Sequence, residues 1–181
     1  VLPEELQTLH AVGRLDQATS GLLLLTNDTT LSSFLTDPAN RIARRYLVTV
    51  RGEVSEETRL ASLAGLTDEG ELLHCESVMI QKRSGRESHL DVTLTEGKNR
   101  EIRRLFKALG HEVIRLRRIQ FGPFQIGDLP PGAPVANECN STLHVPELLP
   151  TVLVGRRDVG DRDVGAQLVD DLGDAEVDFV E

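Results

Sequence analysis

Gly13-Arg14-Leu15-Asp16-Gln17-Ala18-Thr19-Ser20-Gly21-Leu22-Leu23-Leu24-Leu25-Thr26 is the stretch on which the reading of this chain turns. One carboxylate stands beside one arginine, turn-forming residues follow, and a run of leucines comes next. A short apolar run bounded by turn signals reads as a buried strand. Together these parts suit a single Asp held in a cleft, beside a cation, at the edge of a sheet.

Working outward, Asp28 or Thr29 is placed to cap a short helix carrying Leu31, Phe34 and Leu35, which Asp37-Pro38 closes. Tyr46, Val48 and Val50 alternate with Leu47, Thr49 and Arg51, the period of a strand. Ser55 reads as the cap of a second helix with Leu60, Leu63 and Leu66 behind it. Strands are expected over 74–82 and 88–95, joined by Arg83-Ser84-Gly85-Arg86. A helix over 99–109 ends at Gly110, and another strand covers 112–120. This mixture predicts an α+β fold, a mixed and largely antiparallel sheet with flanking helices. One folded domain is expected to occupy residues 1–145, with 146–181 an acidic, disordered tail poor in large apolar residues.

Composition narrows the function classes. No apolar run approaches the roughly 20 residues that span a bilayer, and no basic, apolar secretory leader is present, so a cytoplasmic setting is expected. Cys75 and Cys139 lack CxxC spacing, and the five histidines show no HxxxH grouping. No disulfide framework or metal site is therefore expected. The formal net charge of -9 argues against a polyanionic partner until its distribution is read. From Lys98 to Arg118 eight Lys/Arg face two Glu, a net of +6. From Thr151 to Glu181 nine acids face three arginines, a net of -6. Nucleic acid responds to the local patch, because exposed charges are screened beyond about 8 Å at physiological salt.

The helix after Gly97 carries that patch. Ile102, Leu105, Phe106 and Leu109 form one apolar face, with Arg100, Arg104 and Lys107 opposite and Arg103 at the border. A border arginine can bury its stem while its guanidinium pairs with a carboxylate. The outward cations, with Lys98, Arg115 and Arg117, are the candidates for phosphate contacts.

Three motifs, in order, resemble those of the RNA pseudouridine synthases that modify ribosomal RNA, the branch related to RsuA, RluB, RluE and RluF. The first is Gly13-Arg14-Leu15-Asp16, and the second is Arg44-Arg45-Tyr46-Leu47-Val48, a basic residue and a Tyr entering a strand. The third is Glu96-Gly97-Lys98-Asn99-Arg100-Glu101-Ile102-Arg103-Arg104. Gly110-His111-Glu112-Val113-Ile114-Arg115-Leu116-Arg117-Arg118-Ile119 and Phe121-Gly122-Pro123 extend the similarity, which covers roughly residues 10–132.

The resemblance implies a pseudouridine synthase-like catalytic domain acting on ribosomal RNA or a pre-ribosomal particle as a monomer, with no cofactor. Asp16 would be the catalytic carboxylate and Arg14 a neighbour holding the flipped nucleotide. Tyr46 would stack on the target uracil, and Arg103 would pair with Asp16. The amino-terminal S4-type RNA-binding module of that family, and the strand ahead of the first motif, are expected to be missing, leaving a sheet edge open. The alternative reading is a truncated, non-catalytic RNA-binding remnant of such an enzyme. A glycosidase would require a second positioned carboxylate, and no motif supplies one.

Overall fold

The structure, a computed structural model, describes residues 9–127, 135–137 and 152–157. Its elements run β1 (His10–Ala11), β2 (Ser20–Thr26), α1 (Thr29–Thr36), β3 (Arg44–Arg51), α2 (Glu56–Ala64), β4 (Leu66–Asp68) and β5 (Glu71–Leu73). Then come β6 (Ser77–Arg83), β7 (Glu87–Leu94), α3 (Glu101–Ala108), β8 (Val113–Phe121), β9 (Phe124–Gln125), β10 (Val135–Asn137) and β11 (Val152–Arg157).

Nine of the strands make one sheet, ordered β10-β11-β2-β8-β3-β7-β6, with β1 also on β2 and β9 on β8. Among the described residues only β2 and β8 pair in parallel, through Ser20↔Arg117 and Gly21↔Arg118. The sheet is thus mixed and largely antiparallel, as the strand pattern predicts. Hairpin β4–β5 forms a separate pair, so Leu66 leaves the α2 face on which its spacing had placed it.

Local chemistry fixes the helices. Asp28 Oδ1 accepts from the amides of Thr30 and Leu31 at 2.7 and 3.0 Å, which starts α1. Ser55 Oγ accepts from Thr58 N at 3.1 Å and starts α2. Helix α3 buries Ile102, Leu105 and Phe106 against Val48, Val50, Leu90, Val92 and Leu116 of the sheet. A second cluster joins Leu22 and Leu24 of β2 to Leu31 and Leu35 of α1 and to Phe121.

Two expectations are corrected. A strand does precede the Asp16 motif: His10 and Ala11 pair with Thr26 and Leu25, and Val12 N donates to Leu24 O at 2.8 Å. Because β8 pairs with β2 only at its first two residues, β1 takes the same side further along. The other side of β2 is also covered, by Val152–Arg157 within the segment read as a disordered tail. A run of Val and Leu interrupted by one Gly is adequate for a strand when a leucine-rich neighbour is unpaired on that side. The rest of 146–181 lies outside the described residues.

Candidate active site

An open cleft of about 530 Å³ lies between the Asp16 loop, the first turn of α3 and the inward faces of β3 and β8. Asp16, Arg14, Tyr46, Lys98 and Arg100 all line it. The Asp16 carboxylate does two things. Its Oδ1 accepts from Ala18 N at 2.9 Å and Thr19 Oγ1 at 2.8 Å, closing its own turn. Its Oδ2 lies 3.4 Å from Arg103 Nε and 3.6 Å from Arg100 Nη1. Both are ion pairs, and the Arg103 Nε has no hydrogen-bond partner.

Arg103 is anchored on either side of that pair. Its Nη2 donates to Ala18 O at 2.6 Å, in the Asp16 loop, and its Nη1 to Val113 O at 3.0 Å, on β8. The border position on α3 thus places this guanidinium between loop and sheet. Arg100 reaches Asp16 by a different route from the one its helical spacing suggests. It stands just before α3 with φ 48°, and this left-handed backbone turns it into the cleft.

Two arginines that the motif reading left without a role form the inner wall. Arg44 precedes Tyr46 by one strand period on β3, and Arg118 sits opposite Tyr46 on β8. Their guanidinium carbons lie 4.6 and 4.9 Å from the centre of the Phe121 ring. Arg44 donates to the carbonyls of Glu96, Leu35 and Ile42 at 3.1, 3.1 and 3.3 Å. Arg118 Nε donates to Leu22 O at 3.0 Å. Burial pushes both pKa values down, each opposed by the Tyr46 oxygen, and Arg118 lowers Arg44 further. Neither makes an ion pair with a carboxylate among the described residues. The available sequence signal was cations at inward strand positions where the alternation calls for apolar side chains.

The expected phosphate-contact set is not brought to one surface. Arg104 is held by Asp68 Oδ2 and Glu71 Oε2, both at 2.6 Å, on hairpin β4–β5. Those acids raise its pKa. Lys98 Nζ pairs with the Glu96 carboxylate, lowering the Glu96 pKa, and donates to Leu72 O at 2.7 Å. Arg115 and Arg117 face Thr49 and Leu47 across β3, on the sheet face away from Tyr46 and Asp16. Lys107 is exposed on the last turn of α3. The outward-cation reading therefore fails for Arg104, whose donors are taken, and Arg115 and Arg117 do not flank the cleft. Among the described residues no group of His, Cys, Asp or Glu could hold a metal ion.

Solved structures define the class. A crystal structure of pseudouridylate synthase matches with TM-score 0.58 at 32% identity, over 66% of this chain and 51% of that one. An H/ACA ribonucleoprotein bound to a substrate RNA containing 2'-deoxyuridine matches in fold, with TM-score 0.52 at 20% identity over 67% of this chain and 42% of that one.

The chain belongs to the RNA pseudouridylate synthase family, whose model matches residues 1–108. It is 41% identical over 112 residues to the ribosomal large subunit pseudouridine synthase B of Vibrio cholerae, covering 62% of this chain and 35% of that protein. Over 117 residues it is 36% identical to the Bacillus subtilis protein of the same name, covering 64% and 48%. An uncharacterized RNA pseudouridine synthase of Aquifex aeolicus is 36% identical over 126 residues, covering 70% and 51%. The chain spans about half or less of the length of these relatives.

Proposed function

We propose that this chain converts a uridine of ribosomal RNA to pseudouridine, with Asp16 as the catalytic carboxylate. The observation that carries the reading is one cleft lined by Asp16, Arg14, Arg100 and Tyr46, with Arg103 ion-paired to the same Asp16 carboxylate, in a member of this family. The relatives named for the large ribosomal subunit favour ribosomal RNA, free or in a pre-ribosomal particle.

The reaction breaks the bond from N1 to the ribose, forms one from C5, and moves a proton from C5 to nitrogen. Atoms and electrons balance without an oxidant or water. An ionised Asp16 supplies a nucleophile or a base beside the ribose. Arg103 holds its Oδ2 towards the cleft, and Arg14 steadies the extruded nucleotide. Tyr46 replaces the stacking that the base loses on leaving the RNA. Phosphate contacts belong to the cleft rim, where Arg14 and Arg100 are exposed.

The test is incubation with unmodified 23S and 16S transcripts and EDTA, followed by carbodiimide treatment and primer extension. Wild type should leave one strong stop, and Asp16→Asn should abolish it while RNA binding persists. Turnover by Asp16→Asn would remove Asp16 from the mechanism. Binding without turnover by wild type would favour the alternative reading, a non-catalytic RNA-binding role.

A further inference from the structure

Arg118 is 2% exposed, yet it lines the cleft together with Asp16 and Tyr46. Its Nε is fixed on Leu22 O and its plane is held near the Phe121 ring. The Nη2 of the same guanidinium is buried and has no hydrogen-bond partner, and the polar side chain that faces the guanidinium is Tyr46, the residue assigned to the base. A charged donor left unmet in the interior is costly, and such a group is retained where something else completes it. No carboxylate does so among the described residues. We propose that Arg118 reads the base: its Nη2 donates to a carbonyl oxygen of the pyrimidine held against Tyr46.

A phosphate fits this position less well than a base edge. The phosphate is doubly substituted, charged and bound to the strand, and exposed cations meet it at the rim. Arg118 lies deeper, on the strand next to Tyr46, as register partner of the residue on which the base stacks. A flat ring lying on Tyr46 brings its own edge to that depth. Guanidinium has donors only, so at position 4 it accommodates the carbonyl oxygen of uracil and rejects the amino group of cytosine, while at position 2 both bases offer it a carbonyl.

The chemistry of the proposed reaction adds a second reason. Turning uracil about its N3–C6 axis exchanges N1 with C5, and it also exchanges the 2-carbonyl with the 4-carbonyl. A single fixed donor therefore meets a carbonyl oxygen both before the glycosidic bond breaks and after the carbon bond forms. Arg118 would hold the ring through both states without moving.

This inference rests on the pseudouridine reading, so the experiment separates the two. Once the modified uridine is located, short RNAs carry uridine, 2-thiouridine or 4-thiouridine there. Wild-type turnover of the uridine RNA tests the reaction itself. Sulfur is a weak acceptor, so one thio substitution should weaken wild-type binding by about tenfold. Arg118→Met, with folding checked by thermal melting, should bind all three RNAs equally. The same sulfur penalty in wild type and Arg118→Met would overturn the assignment, even with turnover intact. Should Arg118→Met fail to fold, Arg118→Lys replaces it. An ammonium cannot reproduce the fixed fork, so the penalty should shrink severalfold, and an unchanged penalty again refutes it.

Discussion

Gly21→Ala should be among the most damaging single changes in this chain, and the reason is geometric. Gly21 has φ +105°, and an added Cβ would lie 2.1 Å from Arg118 O and 2.8 Å from Arg118 N. Both are backbone atoms of β8, at the parallel joint that no side chain can vacate. A non-glycine residue in such a backbone region costs about 1–3 kcal/mol. Overpacking against fixed atoms adds about 1–3 kcal/mol. The total, about 2–6 kcal/mol, is a large part of the roughly 5–15 kcal/mol that stabilises a typical domain. With a urea slope of about 2 kcal/mol/M, the unfolding midpoint should fall by about 2 M. Gly70→Ala is the control, because Gly70 has φ +82° with nothing within 4 Å of an added Cβ. It carries the backbone cost without the clash. Turnover should fall as well, since the joint sets Arg118 and the loop leading back to Asp16. Equal midpoints for the two variants would refute the close-approach argument.

Two further expectations concern buried titrating groups. Burial pushes the Cys75 thiol up to about 12, so in folded protein iodoacetamide at mildly alkaline pH should leave the Cys75 peptide unmodified, and urea should expose it; prompt native labelling would contradict the packing. Glu101 is buried at the start of α3, and burial raises its carboxyl pKa. Above the unfolded value of about 4.3, the unfolded chain releases a proton that the folded one retains. Stability attributable to Glu101 therefore falls as pH rises through the raised folded value. Glu101→Gln should match wild type below about pH 4 and melt about 2–4 °C higher at neutral pH. A constant gap in melting temperature from acid to neutral pH would refute this.

The parts of the fold and site that were legible in the sequence are those set by short-range periodicity. The apolar stripe of α3, the caps Asp28 and Ser55, and the alternation of Tyr46, Val48 and Val50 are each contained within one element, and they appear as read. The Arg103–Asp16 ion pair was implied by the family resemblance, and a border position on α3 permits it. What stayed hidden depends on register between distant strands. Only the β3–β8 pairing puts Arg118 beside Tyr46 and turns Arg115 and Arg117 to the other face. The acids that hold Arg104 lie more than thirty residues away, on a hairpin of which the sequence pattern marks only Leu66, and that as part of α2. Val152–Arg157 was masked by the acidic composition around it, although its own residues are apolar apart from the last two and one Gly.

The same long-range pairing explains how a chain of net charge -9 can present a site for a polyanion. Many of its cations are neutralised where they stand. Arg45 is held bidentate by Asp91 at 2.8 and 2.6 Å, Arg104 by Asp68 and Glu71, and Lys98 by Glu96. In the cleft the balance differs: Asp16 serves two arginines at once, and Arg44 and Arg118 have carbonyls and a ring for neighbours. Carbonyl dipoles solvate a guanidinium without cancelling its charge. The low-dielectric walls around it then concentrate the field inside the cleft. Charge on the remote surface is screened within about 8 Å at physiological salt. The attraction that the proposed RNA substrate would feel is thus set by a few cleft cations, Arg100 among them, and the net charge does not predict it.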